Sequence, residues 1–493
     1  GDVYKRQLQR MELLKTGYMG TLSLGWDNYL FLELTGRQER SSTLKDQSFF
    51  YPSANLSFLF TQAFHMPSWW NYGKLRLSYG IVGNAPETYT ANIVYEQGSD
   101  NGFTWNTIPS SWGNADIHPE KKYEYEIGLE SKFLNNRLGI DISYYNNRVK
   151  DQILSTPQPS TSGVKNVLMN VGEVANRGWD ISISATPILT RDFRWDLTAN
   201  YGVYKNKVVK LADGVPYLEI LNSGGSGIKI QAVEGQPMGD IYAQVPQVNE
   251  NGEYLVSDKG LYLNQTELQK VGNINPAGVG GLFNSFSYKN VFLDFSIDFR
   301  IGGDVINEMN QYATAVGLTP ESLKYRDTEH GGLSYYYPGD NNSSGIPVQV
   351  DPSTGAGPNG EIIYHDGIIL PGVVASTGER NTRIIPAGYY YNTTYNWGTE
   401  AEQLTYRHSV FDNSYVKLRE LTIGYQFPEK MISKLGLGRL SVSVFGRNLF
   451  YFYKALKNYD AESSVGTSWA NQATVGSSTT ATRSFGVSLR ASF

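Results

Sequence analysis

The chain has 493 residues, of which 18% are charged and 13% aromatic, and its formal net charge is −5. No apolar run approaches the roughly 20 residues of a membrane helix, so a helical membrane protein is excluded. The mild charge and the lack of a basic cluster argue against a nucleic-acid partner. The absence of cysteine removes disulfides, thiolate catalysis and zinc–thiolate sites.

The first residues do not follow the pattern of the rest. Position 1 is glycine, and no charged-then-apolar signal segment follows it. We expect residues 1–17 to be a non-native or fragment-edge segment with a loop. Residues 18–493 are then expected to be the C-terminal part of a longer protein.

Apolar and polar residues alternate strictly in segments spread along the whole chain, which is typical of strands with one apolar face. In one segment Leu75, Leu77 and Tyr79 alternate with Arg76 and Ser78. About thirteen such strands are predicted, at 18–26, 29–38, 55–62, 74–83, 122–134, 137–153, 176–189, 193–210, 279–288, 291–301, 414–427, 439–453 and 483–493. Soluble strands cluster near five or six residues, whereas tilted membrane strands need about 9–11. Strand length therefore favours an antiparallel transmembrane β-barrel over a soluble sandwich.

The connections between these strands alternate in length. Short links follow the odd-numbered strands, and longer ones follow the even-numbered strands, around 39–54, 84–121, 154–175, 211–278, 302–413 and 454–482. Short periplasmic turns and long extracellular loops are the asymmetry of an outer-membrane barrel. The sequence therefore predicts that the long loops share the outer rim.

The last strand ends on an apolar residue, although chain ends usually fray into water. Its apolar face carries Phe485, Val487, Leu489 and Phe493, which we expect to close the barrel against lipid. Thirteen strands is an odd number, whereas bacterial single-chain barrels have even numbers. We therefore expect about nine more strands upstream, for a plugged barrel of roughly 22 strands, with the plug also missing here.

The polar positions of the strands are predicted to line a lumen. The charged members of this set are Glu33, Arg76, Glu124, Glu126, Asp141, Asp294, Asp298 and Arg447. The alternation slips at Arg419 and Glu420, which predicts a bulge with both charges facing the lumen.

Aromatic residues in the long loops are candidates for binding sugars, because the apolar C–H faces of pyranose rings lie flat on aromatic rings. These candidates are Trp105, Trp112, Tyr336, Tyr390 and Trp397. Loop packing, or contact with a partner protein, is the plainer interpretation of each one.

Neither a metal site nor an active site is predicted. The acidic stretches at 249–253, 340–342 and 351–361 lack the spaced ligands of a calcium loop and suit solvated turns better. The five histidines are scattered without zinc-type spacing. No nucleophile elbow or P-loop is present. We therefore expect no metal, no cofactor and no enzyme.

Several motifs resemble SusC/RagA-type TonB-dependent transporters. They lie at 75–84, 170–178, 235–242 (GQPMGDIY), 275–307, 412–428 (DNSYVKLRELTIGYQFP) and 444–449 (VFGRNL). Their order and spacing carry the resemblance, which spans most of the chain from about Gly20.

The resemblance implies a protein of the bacterial outer membrane that imports large nutrients, usually glycans and sometimes peptides. It also implies a SusD-like surface lipoprotein as partner, and energy from TonB contacted through a region that this chain lacks. A passive porin, an outer-membrane enzyme and a soluble, secreted β-rich glycan-binding protein stay open as alternatives.

Overall fold

The computed structural model describes residues 11–44, 48–100, 102–158, 160–223, 227–339, 345–396, 405–433, 436–464, 466, 468–476 and 481–492. Thirteen long strands in this part of the chain form one antiparallel sheet, in which each strand pairs with its sequence neighbours. They are β1 (Lys15–Trp26), β2 (Leu30–Ser41), β3 (Ser48–Phe58), β4 (Trp70–Asn84), β5 (Glu120–Phe133), β6 (Leu138–Lys150), β7 (Glu173–Leu189), β8 (Phe193–Lys210), β9 (Gly278–Tyr288), β10 (Val291–Ile301), β11 (Tyr415–Gln426), β12 (Arg439–Lys454) and β13 (Ser484–Ser492). The all-β, antiparallel fold predicted from the sequence is confirmed.

The predicted difference between the two rims is present in the structure. Short links lie at one rim, including the turn at Asp27 and Asn28, whose φ angles of 52° and 60° are those of a primed hairpin turn. The connections at the other rim reach 113 residues, between Ile301 and Tyr415. The long loops therefore share one end of the sheet.

The predicted boundaries near the start of the sheet were wrong. The long loop expected at 39–54 is only residues 42–47, because β2 continues to Ser41 and β3 begins at Ser48. Pairing between β3 and β4 begins at Ser53, so Pro52 has no partner in β4. A proline is tolerated inside β3 at this position because no backbone N–H is needed to bond β4. Residues 60–62, predicted as the end of the third strand, lie in helix α1 (Phe60–Ala63). β1 begins three residues before the predicted strand.

The register keeps polar residues on one face of the sheet across many strands. Glu33 pairs with Asn55, Asn55 with Ser78, Ser78 with Glu126 and Glu126 with Tyr145. All eight charged residues predicted to line the lumen lie on this polar face, as the pairings between successive strands show.

The opposite face is apolar and exposed. Leu22, Val444 and Val487 have exposed fractions of 52%, 58% and 71%. Soluble monomers rarely expose a continuous apolar surface of this kind. The face is suited to contact with lipid.

The sheet has two free edges in the part of the chain that the structure describes. β1 pairs only with β2, and β13 pairs only with β12. Unpaired backbone groups in hydrocarbon cost several kcal/mol each, so these edges need partner strands within a membrane.

The long loops fold into small layers with their own cores. Their strands are Glu96–Asp100, Phe103–Thr107, Ser111–Trp112, Ile153–Pro157, Asn166–Asn170, Tyr217–Ser223, Ile228–Val233, Asp240–Ala243, Leu255–Val256, Gln269–Asn273, Asp304–Ile306, Leu333–Tyr336, Val348–Gln349, Tyr364–Ile368, Val373–Val374, Ile385–Pro386 and Val410–Asp412. The largest core joins three loops, since Ile228 and Ile241 pack with Ile306, Val410 and Ala473.

The helices are short. Besides α1 they are α2 (Glu308–Ala315), α3 (Ala387–Tyr395) and α4 (Glu429–Ile432), with 3₁₀ turns at Ser160–Ser162, Pro320–Leu323, Tyr406–Ser409 and Asn471–Ala473. Among the described residues, no helix is long and apolar enough to cross a membrane.

Candidate functional site

A guanidinium on the polar face bridges three strands of the sheet. Arg76 of β4 reaches across β5 to Asp141 of β6, with Nη2 2.6 Å from Oδ1, and it also donates to Ser143 Oγ at 3.2 Å. Its Nη1 lies 3.5 Å from Glu130 Oε2 on the intervening strand. Gly128 makes the crossing possible, because a Cβ there would lie 2.8 Å from Arg76 Nη2. Two carboxylates thus hold one cation against the wall.

A polar depression of about 620 Å³ lies beside this bridge. Its lining includes Arg76, Asp141, Ser143, Asp180, Ser182, Asn200, Gly202, Gly280, Gly281 and Asp298. Three glycines contribute no side chain, so the wall is concave here. The other lining residues offer a guanidinium, carboxylates, hydroxyls and an amide, and Ile181, Tyr201 and Val279 also contribute to the lining. Such a surface can hydrogen-bond water or a hydroxyl-rich solute. Arg76, Asp141 and Asp298 are the predicted lumen residues that meet here.

The other predicted lumen residues are spread over the wall. Glu33 accepts from Asn55 Nδ2 at 3.4 Å, and Glu124 accepts from Asn147 Nδ2 at 3.0 Å. Glu126 and Asp294 lie on the same face, opposite Ser78 and Thr422. Arg447 pairs with Glu420, its Nε lying 2.9 Å from Oε2. The eight residues share a face but do not converge on one site.

A second cluster lies where β10, β11 and β12 approach the long-loop rim. Arg419 is skipped in the backbone pairing with both neighbouring strands, where the register shifts between Leu418 and Glu420, so the predicted bulge is confirmed. Its Nε donates to Asp298 Oδ2 at 2.6 Å, and its Nη1 donates to Glu462 Oε2 at 2.8 Å. The bulge thus turns Arg419 toward both the wall and the loop.

Lys417 completes this arrangement, which we call the Glu462 cluster (Asp298, Lys417, Arg419 and Glu462). Lys417 is only 2% exposed, and its Nζ lies 2.6 Å from Glu462 Oε2. Hydrogen bonds from Arg419, with a further one from Lys417, lower the pKa of Glu462 to about 2 against the opposing effect of burial. The carboxylate therefore stays ionised and ties the loop 455–483 to the sheet.

Sequence reasoning singled out Asp298 and Arg419 but missed Lys417 and Glu462. Lys417 occupies an ordinary polar position opposite Asp298, and its burial comes from the loop that covers it. Glu462 lies in an irregular segment without periodicity. The slip in alternation at Arg419 was the available signal of something unusual nearby.

The predicted sugar-stacking aromatics that the structure describes lie in two of the long loops. Trp105 is 46% exposed in a two-stranded loop hairpin, and Trp112 is half-buried edge-on to Tyr95. Tyr336 is half-buried in a loop strand. Tyr390 packs beside a buried cluster that includes Leu261, and burial raises its pKa. Trp397 lies outside the described residues. The four described candidates are therefore divided between two loops, with Trp105 and Trp112 in one and Tyr336 and Tyr390 in the other.

The acidic loops use their carboxylates internally. Glu361 accepts from the backbone N–H of Gly339 at 3.1 Å and of Asn359 at 2.8 Å, and these bonds contribute to a pKa of about 2. Within the described ranges, no group of three or more histidine or acidic residues could hold a metal ion. Residues 340–342 lie outside those ranges.

The last strand displays its apolar residues as the pattern predicts. Phe485, Val487 and Leu489 are 73%, 71% and 70% exposed on the apolar face, and β13 pairs with β12 throughout. Phe493 lies outside the described residues. The role of this strand in barrel assembly stays a prediction.

Comparison with known proteins gives the same type of structure. Residues 14–237 match the family model described as TonB dependent receptor-like, beta-barrel. TonB-dependent receptor P26 of Formosa agariphila is 28% identical over 59% of this chain and 32% of its own length. TonB-dependent receptor SusC of Bacteroides thetaiotaomicron is 30% identical over 46% of this chain and 24% of its own. The chain thus spans about a third or less of these relatives.

The solved structure of the RagAB peptide transporter shares the fold, with a TM-score of 0.64 at 19% identity. That match covers 91% of this chain and 45% of the other. TonB-dependent receptors are outer-membrane transport proteins and not enzymes. The resemblance of this chain to SusC/RagA-type TonB-dependent receptors is therefore confirmed.

Proposed function

We propose that the full-length protein imports a large nutrient, most suitably an oligosaccharide, across the outer membrane with energy from TonB. The observation that carries this proposal is the two-faced sheet, with its exposed apolar face, its concave polar face and its folded loops at one rim. The family match supports the coarser activity of nutrient import. The proposal concerns the whole protein, because this chain spans only part of its relatives.

In the proposed mechanism the long loops capture the solute, which then passes along the polar face. The depression beside Arg76 and Asp141 offers donors and acceptors to hydroxyl groups along this path. A plug and a TonB contact elsewhere in the protein would open the path on demand. Trp105 and Trp112, which keep part of their rings accessible, are proposed to stack on sugar rings during capture.

We also propose that a SusD-like lipoprotein covers the loop rim, and helix α2 supports this. The helix buries its polar residues Asn310 and Gln311, whereas Met309 and Tyr312 are each 39% exposed. Leu318, just beyond the helix, is 78% exposed. A surface helix in water buries its apolar residues and exposes its polar ones, whereas this helix does the reverse. Its exposed apolar side chains are suited to contact with a protein partner. Leu318→Glu should reduce co-purification of the lipoprotein without changing the amount of barrel.

Uptake of labelled oligosaccharide by cells that produce the full-length protein tests the import proposal. We expect uptake to fall to background when TonB is deleted. Uptake that persists unchanged without TonB would favour a passive pore, the main alternative. TonB-dependent uptake of peptides in place of oligosaccharides would keep the import mechanism but contradict the proposed substrate.

A further inference from the structure

A cavity of about 550 Å³ opens where β11 and β12 meet the loop 455–483. Its lining consists of Met309, Lys417, Asn448, Phe450, Tyr451, Lys454, Asn458, Tyr459, Asp460, Ser463, Gly476, Ala481, Thr482 and Arg483. Its volume lies within the roughly 300–1,000 Å³ of small-molecule sites. The cavity is separate from the depression beside Arg76, since the two share no lining residue.

The lining is cationic. It carries Lys417, Lys454 and Arg483 against one carboxylate, Asp460, so its formal charge is 3 − 1 = +2. Glu462 already compensates Lys417 in the neighbouring Glu462 cluster. Arg483 makes no hydrogen bond or ion pair with other residues that the structure describes. Lys454 donates to the carbonyl of Tyr459 at 2.7 Å, which leaves its charge without a paired carboxylate at hydrogen-bond distance.

Aromatic rings form the other part of the lining. Tyr451 lies under both lysines, with its ring centre 4.8 Å from Lys417 Nζ and 5.3 Å from Lys454 Nζ. Such cation–π contacts fix the lysine heads in place. The half-buried Tyr459 adds apolar surface to the same cavity.

The backbone at the cavity is held in an unusual conformation. Asn448 has a φ of 53°, a left-handed conformation that is uncommon outside glycine. Its side chain accepts from Arg419 Nη1 at 2.9 Å and donates to the carbonyl of Thr482 at 3.3 Å. Asn448 therefore joins the bulge in the sheet to the segment that carries Arg483. Strain of this kind concentrates at binding sites.

We propose that this cavity binds an acidic oligosaccharide, with a carboxylate or sulfate against Lys454 and Arg483 and a sugar ring against Tyr459. A charged group alone would not use the aromatic lining, and a neutral sugar would not use the cations. That this binding forms part of import rests on the proposed function, whereas the binding itself does not require TonB. Asp460 is expected to weaken binding because it faces the same anion.

Calorimetric titration of the purified full-length protein in detergent tests the proposal. The probes are trigalacturonic acid, its methyl ester and tri-glutamate. We expect the acid to bind at least about tenfold more tightly than the ester, which lacks its charge, and than the peptide, which lacks its rings. Binding of the acid should weaken as salt concentration rises.

Variants locate the site. Lys454→Met and Arg483→Met should each weaken binding of the acid about tenfold. Asp460→Asn should tighten it, and Lys430→Met, at the opposite rim, should leave it unchanged. Unboiled electrophoretic mobility checks that each variant is folded.

Equal affinity for acid and ester, no binding of the acid, or tighter binding of tri-glutamate would overturn the proposal. These results are independent of uptake, so loss of TonB-dependent transport with intact binding would count against the proposed function alone.

Discussion

Replacing Glu462 by glutamine should loosen the loop 455–483 from the sheet. The change removes the charge partner of Lys417, which is 2% exposed, and one of the two carboxylates that hold Arg419. Removing one partner of a buried ion pair costs about 3–5 kcal/mol. The Glu462 side chain is 33% exposed and Arg419 keeps Asp298, so we expect about 2–3 kcal/mol.

Limited trypsin digestion measures this cost. Lys457 is exposed in the loop, and its cleavage requires local opening. When opening and closing are fast, the cleavage rate follows the population of the open state. A cost of about 2 kcal/mol should therefore raise the rate about thirtyfold, since 1.4 kcal/mol is a factor of ten. Glu219→Gln, which breaks the 2.7 Å ion pair to Lys229 in another loop, is the matched control.

A second substitution separates the buried charge from other effects. Glu462→Gln combined with Lys417→Met removes the buried lysine together with its carboxylate. The cleavage rate should therefore return most of the way to that of the unmodified protein. Cleavage of Glu462→Gln at the unmodified rate, or no recovery in the double variant, would refute the reasoning.

Three further predictions concern Glu462, Gly424 and Arg76. Because its pKa is lowered, the Glu462 carboxylate stabilises the folded loop fully above the ordinary glutamate pKa of about 4.3, and this stabilisation is lost as pH falls toward 2. A fluorophore on Ser463→Cys should therefore report loosening of the loop only below about pH 4.3. Loosening that is complete above that pH would contradict this prediction. Gly424→Ala should destabilise the barrel by about 1–3 kcal/mol, because its Cβ would overlap the Phe292 ring, whereas Gly20→Ala, which meets nothing within 4 Å, should change its resistance to denaturant little. Arg76→Met leaves Asp141 and Glu130 without their shared cation, so the freed carboxylates should repel an acidic oligosaccharide. Uptake of an acidic oligosaccharide should therefore fall more than uptake of a neutral one. Equal loss of uptake for the two oligosaccharides would count against a role of Arg76 in the lumen.

Much of the sheet could be predicted because a two-faced strand needs a period of two. All thirteen strands appear in the predicted order, and the slip at Arg419 correctly indicated a bulge. The errors lay where the pattern was interrupted by Pro52, and at 60–62, where a turn of helix replaced the strand end. Periodicity does not show where the pairing between two strands ends, nor at which residue the backbone N–H has no hydrogen bond to make.

The candidate sites were predicted less well, because they depend on the loops. Lys417 became a buried cation only when the loop 455–483 covered it, and Glu462 had no sequence pattern. Tyr390 was a plausible surface aromatic by composition, yet it packs beside a buried cluster within the loops. Lys417 and Glu462 lie 45 positions apart, and one sequence does not display such a contact.

The most direct test of the account is the environment of neighbouring positions on one strand. This stretch contains no cysteine, so spin labels on Leu77→Cys and Ser78→Cys of the full-length protein in lipid can be compared without background from it. The account predicts that the label at residue 77 collides with lipid-soluble oxygen and the label at residue 78 with a water-soluble nickel complex. Equal accessibility to the two reagents at both positions, or the reverse pattern, would contradict a barrel wall with its apolar face toward lipid.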